Sequence, residues 1–170
     1  DLLPDGTRMT LDADSRIRIS FDEHSRRIDL FQGSVDFDIA EDPRAFEVYV
    51  GEYRIEDIGT IFSVSVKNGI NEPGNADLPF SVAVEEGEIH IHRVDDRSGP
   101  IVELVAGERL EVSRALETAP SVTPLKATPF ASWRNGVLQY QNRPLSEVLA
   151  DLQRHFPGTI QLVDPDLADE

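Results

Sequence analysis

The chain has 170 residues and carries 32 acidic residues against 16 Lys and Arg, a formal net charge of -16. A surface this negative repels phosphate backbones and anionic headgroups, which argues against nucleic-acid and membrane-surface binding and suits a partner with a basic patch. The absence of cysteine removes disulfide scaffolds, CxxC redox sites and thiolate zinc sites together, and no run of about 18 apolar residues is present to cross a membrane.

Alternation of apolar and polar residues begins at once. Met9 and Leu11 follow a Pro4-Asp5-Gly6 turn, and Ile17, Ile19 and Phe21 alternate next. Ile28 and Leu30 come after them, then Val35, Phe37 and Ile39, then Phe46, Val48 and Val50. The same spacing runs through 61–66, 80–84, 89–94, 101–105 and 110–112. Period-2 patterning broken by Gly, Asp and Pro is the signature of half-buried strands. About ten short strands at this spacing predict a mainly β fold, either a two-sheet sandwich or a solenoid-like β domain, over residues 1–114. Gly33, Gly59, Gly87 and Gly107 each stand just before a strand and are read as tight turns that need positive φ. The Gly- and Asn-rich stretch 68–77 is read as an exposed hairpin loop.

Composition changes at 115–132, where Ala, Thr, Pro and Ser dominate and prolines stand at 120, 124 and 129. This reads as a semi-rigid linker. Beyond it the period changes. Val137, Leu138 and Tyr140 suggest a short strand, and Pro144 opens a helix. Leu145, Val148, Leu149, Leu152 and Phe156 then share a helical face that Pro157-Gly158 ends. Residues 159–163 suggest a second strand. The expected tail, 133–170, is therefore a small βαβ subdomain, half of a larger unit and marginal alone.

No nucleophile-elbow, zinc-protease, Walker or dinucleotide fingerprint is present, so the expectation is a protein that is not an enzyme and carries no cofactor. His90 and His92 alternate on one face of a strand. Two imidazoles hold a metal only where further ligands converge, and the alternation equally fits an outward polar face, so no metal is expected. Asp12, Asp14, Asp36 and Asp38 likewise read as solvated strand faces, and Trp133 as a core anchor.

Several blocks in order carry a likeness. Leu3-Pro-Asp-Gly-Thr with Ser15-Arg16-Ile17 comes first, followed by Arg27-Ile-Asp-Leu-Phe-Gln-Gly-Ser-Val-Asp-Phe-Asp-Ile-Ala and Phe46-Glu-Val. Gly59-Thr-Ile-Phe-Ser-Val, Val82-Ala-Val-Glu-Glu-Gly-Glu-Ile and Leu104-Val-Ala-Gly-Glu complete the series. Together they resemble the extracytoplasmic domain of the FecR family of transmembrane anti-sigma regulators. The tail, Trp133-Arg-Asn-Gly-Val-Leu-Gln-Tyr with Pro144-Leu-Ser-Glu-Val-Leu, resembles a secretin/TonB short N-terminal domain. The resemblance implies a periplasmic signalling domain of a single-pass inner-membrane protein. Its partner would be the N-terminal signalling domain of a TonB-dependent, ferric-siderophore receptor, and an ECF sigma factor would be reached through a cytoplasmic region outside this chain. Opening at Asp1 without a signal-peptide pattern, the chain is read as a fragment whose membrane helix lies elsewhere. The alternative is a secreted β-rich module binding glycan or another ligand.

The free edge of the tail's short sheet is the expected docking surface, since unpaired backbone groups invite strand addition. Leu138, Gln139, Tyr140, Gln141 and Arg143 would form that edge. Glu147, Asp151 and Arg154, away from the helix's apolar stripe, would add charge complementarity.

Overall fold

The computed structural model describes residues 1–66, 79–96, 98–112, 121–125, 132–140 and 144–164. The expected loop 68–77 lies outside the described residues, as do Gln141 and Arg143. Strands β1 (Arg8–Leu11), β2 (Arg16–Phe21), β3 (Ser25–Asp38), β4 (Ala45–Val50), β5 (Tyr53–Asp57) and β6 (Ile61–Val66) come first. They are followed by β7 (Phe80–Glu86), β8 (Glu88–Arg93), β9 (Val102–Val105), β10 (Glu108–Val112) and β11 (Ser121–Pro124). A 3-10 turn at Ser132–Asn135 and a helix, α1 (Leu145–His155), complete the described elements.

The strands form a two-sheet sandwich. One sheet runs β1 and the second half of β3, then β6, β7, β10 and β11. The other runs β2 and the first half of β3, then β4, β5, β8 and β9. Strand β3 belongs to both, and this is where two segments that the sequence shows as separate turn out to be one strand of 14 residues. Its inward residues are even-numbered in the first half (Ile28, Leu30) and odd-numbered in the second (Val35, Phe37), all fully buried. A one-residue bulge makes that switch: Arg16 pairs with Gln32 but Ile17 with Leu30, leaving Phe31 unmatched. An extra residue on one strand shifts every later side chain to the opposite face. Gly33, at φ 82°, follows it. A Cβ there would lie 2.6 Å from Ser15 Cα, so only glycine lets the β1–β2 turn pack against the crossover.

Far from β3, the turn joining β9 and β10 passes back between the sheets, with Ala106 N–H donating to Gly87 O at 3.0 Å and Gly107 N–H to Val84 O at 2.9 Å. The sandwich is thus nearly closed. One apolar cluster fills it. Phe37 of the first sheet meets Phe46 of the second at 5.2 Å between ring centroids, and Phe62 at 5.3 Å. Burying each such side chain contributes roughly 2–3 kcal/mol. Arg26, 3% exposed, is also inside. Its guanidinium donates to Asp5 Oδ2 at 2.8 Å, Ala40 O at 3.1 Å and Arg44 O at 3.1 Å, and it lies over the Phe46 ring.

The β domain is as expected, with two additions. Strand β5, with inward Tyr53 and Ile55, was not legible as a separate strand. Strand β11 lies within the segment read as linker, where it pairs with β10; Pro124 ends it, a position an edge strand tolerates. The tail needs a larger correction. Helix α1 forms where the apolar spacing puts it, but neither 137–140 nor 159–163 is a strand. Two segments of this length bury too little to sustain a sheet. Instead the side chain of Gln153 holds the chain beyond the helix, donating to Phe156 O at 3.2 Å and to Gly158 O, and accepting from Ile160 N–H at 2.8 Å. Leu145, Val148, Leu149 and Leu152 are half-buried, Phe156 is exposed, and no helix residue is fully buried. Trp133 is half-buried too, and so not the core anchor the sequence suggested. No helix among the described residues is long and apolar enough to cross a membrane.

Candidate functional site

The tail is seated on the sandwich by two polar clips, and both use aspartates that read from sequence as solvated. The first involves Asp36. It points outward from β3, yet its side chain is only 4% exposed. The neighbouring outward residues Ser34, Ser63, Ser65, Ser81 and Ala83 are small, which leaves room for a covering element. Arg134 of the 3-10 turn fills that role, donating to Asp36 Oδ2 at 2.8 Å and to Glu85 Oε2 at 3.1 Å. Burial raises the Asp36 pKa to about 6, against the opposing charge and hydrogen bond of Arg134, with Glu85 and Asp38 adding to the rise. Its second oxygen is buried and has no hydrogen-bond partner among the described residues.

The second clip centres on Asp12, in the β1–β2 turn, with a side chain 6% exposed. Arg154 Nη2 lies 3.4 Å from Asp12 Oδ2, Arg154 Nη1 donates to Ala13 O at 3.5 Å, and His155 Nε2 lies 3.5 Å from Asp12 Oδ1. Arg154 is oriented by Asp151, which accepts from its Nε at 3.1 Å and from Tyr140 O–H at 2.6 Å. Burial pushes the Asp151 carboxyl up, but the hydrogen bonds from Tyr140 and Arg154 outweigh it and hold the pKa below the usual range. Burial, with the Asp151 carboxylate beside it, pushes the Tyr140 phenol well above its ordinary value.

Three of the eight residues expected to dock a partner, Tyr140, Asp151 and Arg154, therefore come together in a network that reaches the β domain. Leu138 is half-buried, while Gln139 and Glu147 are exposed. The spacing of Asp151 and Arg154 on one helix face was readable. Their meeting with Asp12 was not, because a sequence separation of 142 residues leaves no local trace. Asp36 and Arg134, which sequence reasoning missed as a pair, are separated by 98.

On the outer face of the second sheet, polar side chains form a continuous row. Arg18 and Arg27 flank Asp29, Arg54 bridges Glu47 and Glu56, and His92 Nε2 stands 3.3 Å from Glu56 Oε2. His90 accompanies it, with Nε2 2.8 Å from Glu88 Oε1. Ligand atoms of Glu88, His90 and Glu103 all lie within 4.8 Å of one another. The sequence reading found no ligand converging on the histidines; the structure brings Glu103, on the neighbouring strand, directly opposite His90, while His92 stays outside the group.

Among curated proteins none matches. Two crystal structures of a "putative anti-sigma factor" from Parabacteroides distasonis share the fold. One has a TM-score of 0.71 at 22% identity over 91% of this chain and 68% of that one. The other has a TM-score of 0.72 at 22% identity over 92% and 68%. The family described as FecR protein matches residues 2–90, a span that takes in β1 to β7, most of the sandwich core and both aspartates that receive the tail. The chain belongs to the FecR family.

Proposed function

We propose that this chain is the periplasmic signalling domain of a FecR-type anti-sigma regulator. It binds the N-terminal signalling domain of a TonB-dependent outer-membrane receptor, of the kind that imports ferric siderophores. Occupancy of the receptor changes that contact, and the change reaches an ECF sigma factor through parts of the regulator outside this chain. The observation that carries the reading is the family match over 2–90. The acidic surface supports it, since a net charge of -16 speeds encounter with a basic partner. No nucleic acid and no cofactor enter the scheme.

The docking surface is placed on the tail: Leu138, Gln139, Tyr140, Gln141, Arg143, Glu147, Asp151 and Arg154. Gln139 and Glu147 are exposed and would make first contact. Tyr140, Asp151 and Arg154 already tie the tail to Asp12, so a partner competing for them would loosen the tail. Ligand binding at one place then alters the seating of another, which is what a relay requires.

The test is titration of the receptor's signalling domain into the 170-residue chain and into a Gln139→Arg/Glu147→Arg variant. Both changed residues are exposed, so circular dichroism should be unaltered. Affinity is expected to fall at least about tenfold, roughly 1.4 kcal/mol. A chain ending at residue 130 that stays folded and binds with unchanged affinity would remove the tail from the interface. Absence of any binding by the intact chain would remove the receptor.

A further inference from the structure

On the outer face of the second sheet, Glu88 and His90 stand two residues apart on β8 and so project from the same side. Glu103 is opposite His90 in the antiparallel β8–β9 ladder. The backbone beneath them is fixed from the inside, because Ile89, Ile91 and Leu104 are fully buried in the core. One imidazole nitrogen and two carboxylate oxygens are thereby brought within 4.8 Å of each other. Neither carboxylate forms an ion pair with an Arg or Lys among the described residues; Glu88 instead has the His90 imidazole beside it, at 2.8 Å. Every other acid in this row, from Asp29 to Glu56, is balanced by a guanidinium. The cluster is an unneutralised negative pair around a histidine, inside an otherwise charge-matched face.

We infer that Glu88, His90 and Glu103 form a binding site for a divalent transition cation of the zinc class. A site of one nitrogen and two oxygens suits zinc: imidazole favours Zn, Cu, Fe and Ni, whereas calcium asks for six to eight oxygens. Bond lengths near 2.0–2.2 Å set ligand separations of roughly 3.3 Å in a tetrahedral arrangement. Glu88 and Glu103 reach that spacing by side-chain rotation, being partly or fully exposed at their tips. Binding displaces the His90–Glu88 hydrogen bond of 2.8 Å and replaces carboxylate repulsion with attraction to the ion. Three protein ligands leave a fourth position open to water or to a donor from another molecule, the arrangement of non-structural zinc sites. His92 lies on the same face but is nearly buried, its Nε2 standing 3.3 Å from Glu56 Oε2 without a hydrogen bond among the described residues. Its ring nitrogens are not among the converging ligand atoms, so the set is glutamate–histidine–glutamate and not a paired-histidine chelate.

The experiment is isothermal titration of ZnCl2 into the 170-residue chain in a non-chelating buffer at neutral pH, with CoCl2 as a spectroscopic probe of the same site. One equivalent is expected to bind. His90→Ala and Glu103→Gln should each weaken it at least about tenfold, with circular dichroism unchanged because both side chains point away from the core. His92→Ala and His24→Ala should leave the affinity within about twofold. Absence of saturable binding at millimolar zinc, unchanged binding in His90→Ala, or loss in His92→Ala equal to that in His90→Ala would each overturn the assignment.

Discussion

Replacing Asp36 by Asn isolates the most unusual carboxyl group of the structure. Burial lifts its pKa from 3.8 to about 6 even with Arg134 beside it. The folded protein therefore holds this proton more tightly than the unfolded chain, so protonation favours folding. The stability contributed is full below pH ~4 and fades as the pH climbs through about 6. A rise of about two units corresponds to at most about 3 kcal/mol, of which about 2 kcal/mol falls between pH ~4.5 and ~7.5. Asp36→Asn keeps the shape, the outward position and a hydrogen-bond acceptor for Arg134, but does not titrate. Carboxyls whose pKa values are lowered, such as Asp5 and Asp151, act below pH ~4 and are common to both proteins. Urea unfolding followed by circular dichroism across this pH range should show the native chain losing about 2 kcal/mol relative to the variant as the pH rises. Trp133 fluorescence, next to Arg134 in the chain, should follow the seating of the tail in the same samples. Stability curves that stay parallel from pH 4.5 to 7.5 would refute the reasoning, since no proton would then be held differently by the folded state.

Gly33→Ala combines a left-handed φ of 82° with a Cβ 2.6 Å from Ser15 Cα, and should cost more than the roughly 1–3 kcal/mol of backbone strain alone; Gly107→Ala, with φ 84° and open space around it, should cost only about 1–2 kcal/mol. Equal losses for the two in urea unfolding would show that the β3 crossover is not tightly packed. Arg26→Ala strips the guanidinium from Asp5, whose side chains are 3% and 0% exposed, and should destabilise by about 3–5 kcal/mol. Because burial opposes but the Arg26 and Thr7 hydrogen bonds hold the Asp5 pKa low, the native chain gains stability from this group above pH ~4 and loses it on acidification. The variant should lack that acid-induced loss in parallel urea titrations.

The outlines of the β domain were open to reading because sheet burial writes itself into local sequence. Each strand has one face inside and one outside, so apolar residues recur every second position. The four glycines read as tight turns needing positive φ indeed adopt φ between 82° and 84°, since that conformation excludes other residues at short range, although Gly33 stands inside β3 beside its bulge and not in a turn before a strand. Helix α1 was equally legible from its apolar spacing and from Pro144 before it. The resemblance to FecR likewise rested on ordered local blocks, most of them inside the span 2–90 that the family matches.

Other features depend on distant parts of the chain. The sequence could place Ile28 and Leu30 in one strand and Val35 and Phe37 in another, but only the bulge at Phe31 makes them one strand serving two sheets. Asp36 and Asp12 alternate with apolar residues just as solvated carboxylates do. Their burial comes from Arg134 and Arg154, which arrive from the other end of the molecule. The same is true of Glu103 facing His90, a partnership set by the β8–β9 register. Periodicity determined which side of each strand faces the core, because that choice is made within a few residues. What covers the outer side was decided only by the tertiary structure, because charge pairing acts through space and leaves no period along the chain.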